Sequence, residues 1–154
     1  MKILLSLLFI FSFHSYASEC DFNETLLASC DFSGDGRTAV FCASNYKNES
    51  RYFLRNNDVT EFEVKFNDEN KLKRWLDLGT YTTYLGFNKG NYSYVLGVPE
   101  EKPDVVAFLD IKKNGRVIST KKCSSNSFGE KNFKNNSIDD VLDRVVRDNG
   151  FKFP

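Results

Sequence analysis

Polarity alternates along residues 59–66, where Phe62, Val64 and Phe66 interleave with Glu61, Glu63 and Lys65. This period-two pattern marks a strand with one buried and one wet face. Residues 51–55 precede it across Asn56-Asn57-Asp58, which predicts a hairpin. Folding about Asn57 sets Tyr52 opposite Phe62 and Leu54 opposite Thr60, and the apolar faces then agree. Three more hairpins follow from the same reading. Residues 26–32 and 38–44 flank the turn Ser33-Gly34-Asp35-Gly36. Residues 80–87 and 91–98 flank Asn88-Lys89-Gly90, and pairing about Lys89 places Tyr84 opposite Tyr94. Residues 104–113 and 116–122 flank Asn114-Gly115, the dipeptide best suited to the positive backbone angles of a two-residue turn. That register sets Ile111 against Ile118.

Two segments depart from period two. Between Asp68 and Gly79, Leu72, Trp75 and Leu76 recur at helical spacing, and Gly79 can end a short helix. Near the C-terminus, Ser137 stands in a capping position with Asp140 three residues on, and Ile138, Val141, Leu142, Val145 and Val146 form one stripe. Gly150 supplies the stop, with Phe151 and Phe153 pinning the tail. The pattern therefore predicts a mainly β, α+β fold: antiparallel hairpins forming a small sandwich or partly open barrel, with a C-terminal helix.

The chain start obeys a different logic. Lys2 is followed by a nearly unbroken apolar run from Ile3 to Phe13, and Ser15-Tyr16-Ala17 puts small residues at the two cleavage-defining positions. Residues 1–17 are therefore expected to be a signal peptide, cut after Ala17, with one disulfide-stabilised β-rich domain over residues 18–154. The apolar run is shorter than the roughly 20 residues a membrane span needs, and no later stretch approaches that length. Lipid attachment at Cys20 is disfavoured because Glu19, not a small residue, precedes it.

Export changes how the cysteines read. Cys20, Cys30, Cys42 and Cys123 all follow the expected cut, an even number in an oxidising compartment. No pair has Cys-x-x-Cys spacing, which disfavours zinc and thioredoxin-type chemistry. Two disulfides are expected, in any of three pairings. A local bridge between Cys30 and Cys42 on neighbouring strands, leaving Cys20 with Cys123, is the mild preference. His14 is the only histidine and lies in the expected leader. The processed chain would then have no imidazole for Ser-His-Asp or Cys-His catalysis, for a metal, or for a pH switch.

With 154 residues there is room for one core, and 21 basic against 21 acidic side chains argues against a nucleic-acid-binding surface. Glu61 and Glu63 stand about 7 Å apart on one strand face, the sort of carboxylate pair a glycosidase uses. A solvated face balanced by Lys65 with Arg51 or Arg55 explains them more simply. Asp139, Asp140 and Asp143 read as negative charge at the start of the last helix. Glu100-Glu101, between Pro99 and Pro103, reads as a turn. No calcium loop, nucleophile elbow or phosphate loop is present, so no metal or cofactor is expected. Asn23, Asn48, Asn91 and Asn135 fit Asn-x-Ser/Thr, a pattern cheap in so Asn-rich a chain.

One segment stands out. Residues 81–94 hold five aromatics, Tyr81, Tyr84, Phe87, Tyr92 and Tyr94, with Lys89 at the turn. Rings beside one cation suit a protein contact, since tyrosine offers large area at small entropic cost; they also suit stacking on a sugar. The plainer reading makes them core residues with hydroxyls at the rim. Tyr81, Tyr84, Phe87, Lys89 and Tyr92 are the candidate partner-binding residues.

The export signal, the cysteine-tied β fold and the segment ending Phe87-Asn88-Lys89-Gly90 resemble the periplasmic C-type lysozyme inhibitors of Gram-negative bacteria. In that family an aromatic-x-Lys-Gly turn and a Ser-Gly loop face the lysozyme cleft. The resemblance covers the first element, at Phe87, Lys89 and Gly90; Gly79, between Leu78 and Thr80, does not supply the second. More broadly the chain is similar to small periplasmic immunity proteins. Both resemblances imply a non-enzymatic exported protein that plugs a partner enzyme or toxin. The alternatives are a carboxylate-based cell-wall or sugar hydrolase, and a small-ligand carrier with a cavity between sheet and helix.

Overall fold

The computed structural model describes residues 19–57, 59–100, 104–124 and 127–154. The expected leader, His14 with it, lies outside the described residues. The chain runs β1 (Glu24–Asp31), β2 (Arg37–Ser44), β3 (Ser50–Asn56), β4 (Val59–Phe66), β5 (Leu72–Asp77), β6 (Thr82–Lys89), β7 (Tyr92–Pro99), β8 (Phe108–Lys113), β9 (Arg116–Lys122), β10 (Ser127–Phe128), β11 (Ile138–Val141) and α1 (Asp143–Asp148). Two sheets form, in the orders β10-β1-β2-β3-β4 and β11-β5-β6-β7-β8-β9. All pairs are antiparallel except β11 with β5. The result is the expected mainly β, α+β sandwich, with no closed barrel and no described helix long and apolar enough to cross a membrane.

All four hairpins form, but three registers differ from the simple folding about each turn. In β3–β4, Tyr52 faces Val64 and Leu54 faces Phe62, with a bulge that leaves Glu61 unopposed before Arg55 meets Thr60. The shift is even on the core side, so Tyr52, Leu54 and Phe62 keep their inward faces. In β8–β9 the turn is Asn114-Gly115, with φ of 50° and 76°, but a bulge at Ile118 sets Ile111 against Ser119. In β6–β7, Lys89 closes on Tyr92, so the turn is Gly90-Asn91 and Phe87 faces Tyr94 while Tyr84 faces Gly97.

The sheets meet on a ring-rich core. Tyr52 lies 4.9 Å from both Phe41 and Phe87, and Phe87 stacks on Tyr94 at 5.0 Å. Phe41, Tyr52, Phe66 and Phe87 are essentially inaccessible. Full burial of such a side chain contributes about 1.5–3 kcal/mol each over leaving it exposed, so these rings anchor the sandwich.

Both disulfides form, but in another pairing: Cys20–Cys42 and Cys30–Cys123. Alternation on the strands explains the correction. Cys30 points inward with Phe41 and Tyr52, whereas Cys42 points outward with Val40 and Phe53. Cysteines on opposite faces of a sheet cannot bridge. Cys20 therefore ties the N-terminal segment onto the outer face, and Cys30–Cys123 joins the two sheets beside the Phe32–Cys123 bridge.

The two expected helices are corrected. Residues 72–77 are a strand whose two faces are both covered: Leu72 enters the inter-sheet core, while Trp75 packs outside against Val95, Val146 and Phe153. Burial on alternate faces mimics helical spacing. At the C-terminus, Ser137 caps no helix; its hydroxyl bonds to that of Ser50 at 2.8 Å. Residues 138–141 add a parallel strand, and the helix spans only Asp143–Asp148, with Leu142 as N-cap. Gly150 (φ 67°) does end it, as Phe151 N–H donates to the Val146 carbonyl and Gly150 N–H to that of Arg147, the reciprocal pair that closes a helix on a left-handed glycine.

Candidate functional site

The five candidate residues of the aromatic segment do not converge. The odd displacement of the β6–β7 pairing decides this, because a one-face change moves every side chain across the sheet. Phe87 is 2 % exposed and sits at the heart of the core, so it is no surface residue. Tyr84 lies on the outer face, stacked on Trp75 at 4.7 Å and half-buried beneath Phe153. Tyr81 is exposed, but it precedes β6 in the turn after β5, a full strand length from the hairpin tip.

Lys89 and Tyr92 are brought together, as the last cross-strand pair before the turn. Each is held by a neighbour from another strand. Lys89 Nζ stands 4.5 Å from the centre of the Phe62 ring, and Lys113 Nζ stands 5.4 Å from that of Tyr92. Phe62 in turn lies 5.5 Å from Tyr94. The tip is thus a layered cluster of cations on rings, Lys89 on Phe62 and Lys113 on Tyr92, standing on the Tyr94–Phe87 stack. An ammonium over a ring face gains about 0.5–1 kcal/mol at an exposed site, enough to narrow the rotamers of both lysines. Among the described residues, neither lysine has a carboxylate within ion-pair distance.

Phe62 and Lys113 are missed by reading the segment alone. The signal for Lys113 was its place just before Asn114-Gly115, which the β7–β8 pairing sets opposite Tyr92. The signal for Phe62 was its inward alternation on an edge strand.

The acidic candidates are committed elsewhere. Glu61 accepts hydrogen bonds from Arg37 at 2.8 Å and from Asn56 at 3.1 Å, and the Arg37 bond, then the Asn56 bond, hold its carboxyl below the ordinary range. A general acid needs the opposite shift. Glu63 accepts from Arg51 at 3.4 Å. Arg51 is itself forked onto Glu24 at 2.8 and 2.7 Å and reaches Asp21 at 3.0 Å, so the polar hollow around it is filled with paired charge. Asp139 and Asp140 do not attend the helix start; they pair across strands with Lys73 at 2.5 Å and Arg74 at 2.6 Å. Asp143 alone lies in the first helical turn, where its carboxylate also accepts from the Trp75 indole at 3.0 Å.

No family model, curated protein or solved structure matches the chain.

Proposed function

We propose that this chain is an exported, non-enzymatic binding protein that blocks a partner enzyme or toxin in the periplasm, as an inhibitor or immunity factor, through the tip of the β6–β7 hairpin. The observation that carries the reading is the tip itself: an exposed lysine and tyrosine, each seated against a neighbouring strand, on a scaffold closed by two disulfides. Side chains ordered before contact lose less entropy on binding. The four paired cysteines suit an oxidising compartment, which supports export. The C-type lysozyme inhibitor resemblance keeps Lys89 and Gly90 as contact residues, with Tyr92 in place of the buried Phe87.

The test is capture of a partner from periplasmic extract followed by titration of that partner's activity. A 1:1 loss of activity is expected, weakened at least about tenfold by Lys89→Glu with Tyr92→Ala. Absence of any stoichiometric partner at about micromolar protein, a modest affinity for a specific complex, would count against the reading.

A further inference from the structure

The β3–β4 register shifts after Leu54 and the β8–β9 register after Ile111, and both residues line one cleft. A bulge kinks its strand and re-aims the residues beside it. The cleft has a volume of about 270 Å³. Leu54 and Phe62 line it from one sheet, and Tyr94, Leu109 and Ile111 from the other. Small-molecule sites run to about 300–1,000 Å³ for drug-sized ligands, so this cleft suits something smaller.

Its rim carries charges of both signs. Arg37 and Lys121 face one carboxylate, Asp35. Arg37 is committed to Glu61 at 2.8 Å. Lys121 is only 3.9 Å from Asp35, beyond hydrogen-bond length, and its side chain is 46 % exposed. Lys89, 4.5 Å from the centre of the Phe62 ring, stands beside the cleft without a carboxylate in ion-pair distance among the described residues.

We propose that this cleft binds a small apolar carboxylate, with its hydrocarbon between the sheets and its charge at Lys121. The cleft shares Phe62 and Tyr94 with the base of the hairpin tip, so the two sites adjoin.

The experiment is an NMR titration of the labelled, disulfide-bonded protein with octanoate, with 3-phenylpropionate, and with 1-octanol as the uncharged control. Saturable shifts are expected at Leu54, Phe62, Tyr94, Leu109 and Ile111 with either acid, and their relative affinities tell an acyl from an aromatic ligand. Lys121→Glu lies on an exposed strand position and leaves the fold intact. It should weaken octanoate at least about threefold, the scale of one exposed ion pair, and leave 1-octanol unchanged. No saturable shift by about 5 mM acid, a limit weaker than any useful affinity, would overturn the proposal. So would shifts centred elsewhere, or octanoate binding unaffected by the charge reversal.

Discussion

Arg74 grips Asp140 with a two-pronged bond, its Nε at 2.6 Å from one carboxylate oxygen and a terminal nitrogen at 3.0 Å from the other. The remaining terminal nitrogen donates to the carbonyls of Lys131 and Phe133 at 2.8 and 2.9 Å. One nearly buried guanidinium thereby fastens β5 to β11 and to the loop leading into it. Planar, bidentate recognition of this kind is specific to arginine.

Removing that guanidinium should be costly. Arg74→Ala is expected to lower stability by about 3 kcal/mol, because two carbonyls and a carboxylate lose their donors together. Arg74→Lys keeps the charge but loses the fork, and should cost about 1–2 kcal/mol. Urea unfolding of the three proteins checks the order. Equal stability of Arg74→Lys and the parent would show that charge alone matters.

The two disulfides should contribute unequally. Cys30–Cys123 spans 93 residues and Cys20–Cys42 spans 22. Under the chain-entropy account, removing the long loop costs about 4–5 kcal/mol and the short one about 3 kcal/mol. The longer bridge also joins the two sheets, whereas the shorter ties down a terminal segment. Unfolding of the Cys30→Ser/Cys123→Ser and Cys20→Ser/Cys42→Ser proteins measures the difference. A larger loss from the second pair would contradict this assignment of roles.

The turns were readable because their chemistry is local. Asn114-Gly115 and Ser33-Gly34-Asp35-Gly36 carry the residues that positive φ demands, and both hairpins form around them. Register was not readable where a bulge adds a residue, since nothing at Glu61 or Ile118 marks an unopposed position. The third hairpin misled differently. Asn88-Lys89-Gly90 and Gly90-Asn91 are both acceptable turns, and only burial of Phe87 against Tyr52 and Phe66 selects the latter. That choice, made by the core, decides which tyrosines reach the surface. The loss of the first expected helix and the shortening of the C-terminal one have a tertiary cause as well. Ile138 leaves the helix because Leu72 offers it a strand partner, and the acids beside it find Lys73 and Arg74 across the ladder.

Gly97 makes room for a ring. A Cβ at this position would stand 2.5 Å from the Phe108 ring tip, with both flanking ring atoms within 3.0 Å. The ring lies across the Gly97 backbone on the outer face of its sheet, 6.3 Å from Tyr84. Gly97→Ala should therefore displace Phe108 and cost about 1–3 kcal/mol, the usual range for overpacking. Adding Phe108→Ala removes the obstruction, so the double variant should be more stable than the sum of single effects by about 1 kcal/mol. Thermal unfolding of the four proteins completes the cycle. Simple additivity would show that the ring was free to move aside.

Acid should loosen the same end of the sheet that Arg74 holds. Burial works against the charged form of Asp140, but bonds from Arg74 and Lys134 outweigh it and bring its pKa below the ordinary value of 3.8. For Asp143 the bond from Arg147 leads, and its pKa is lowered too. A carboxylate whose folded pKa is depressed contributes stability that is whole above the unfolded value and disappears as pH falls through the folded one. These two groups therefore leave stability flat near neutrality and remove it between about pH 5 and pH 2. Asp140→Asn should lower the melting temperature at pH 7, because Arg74 loses its charged partner while remaining nearly buried. The same variant should show a shallower decline on acidification, since one of the titrating groups is gone. Melting temperatures of parent and variant from pH 2 to 7 should therefore converge as the medium becomes acidic. Curves that stay parallel would mean that Asp140 keeps the same pKa folded and unfolded, and that the fork from Arg74 holds it by geometry without favouring its charge.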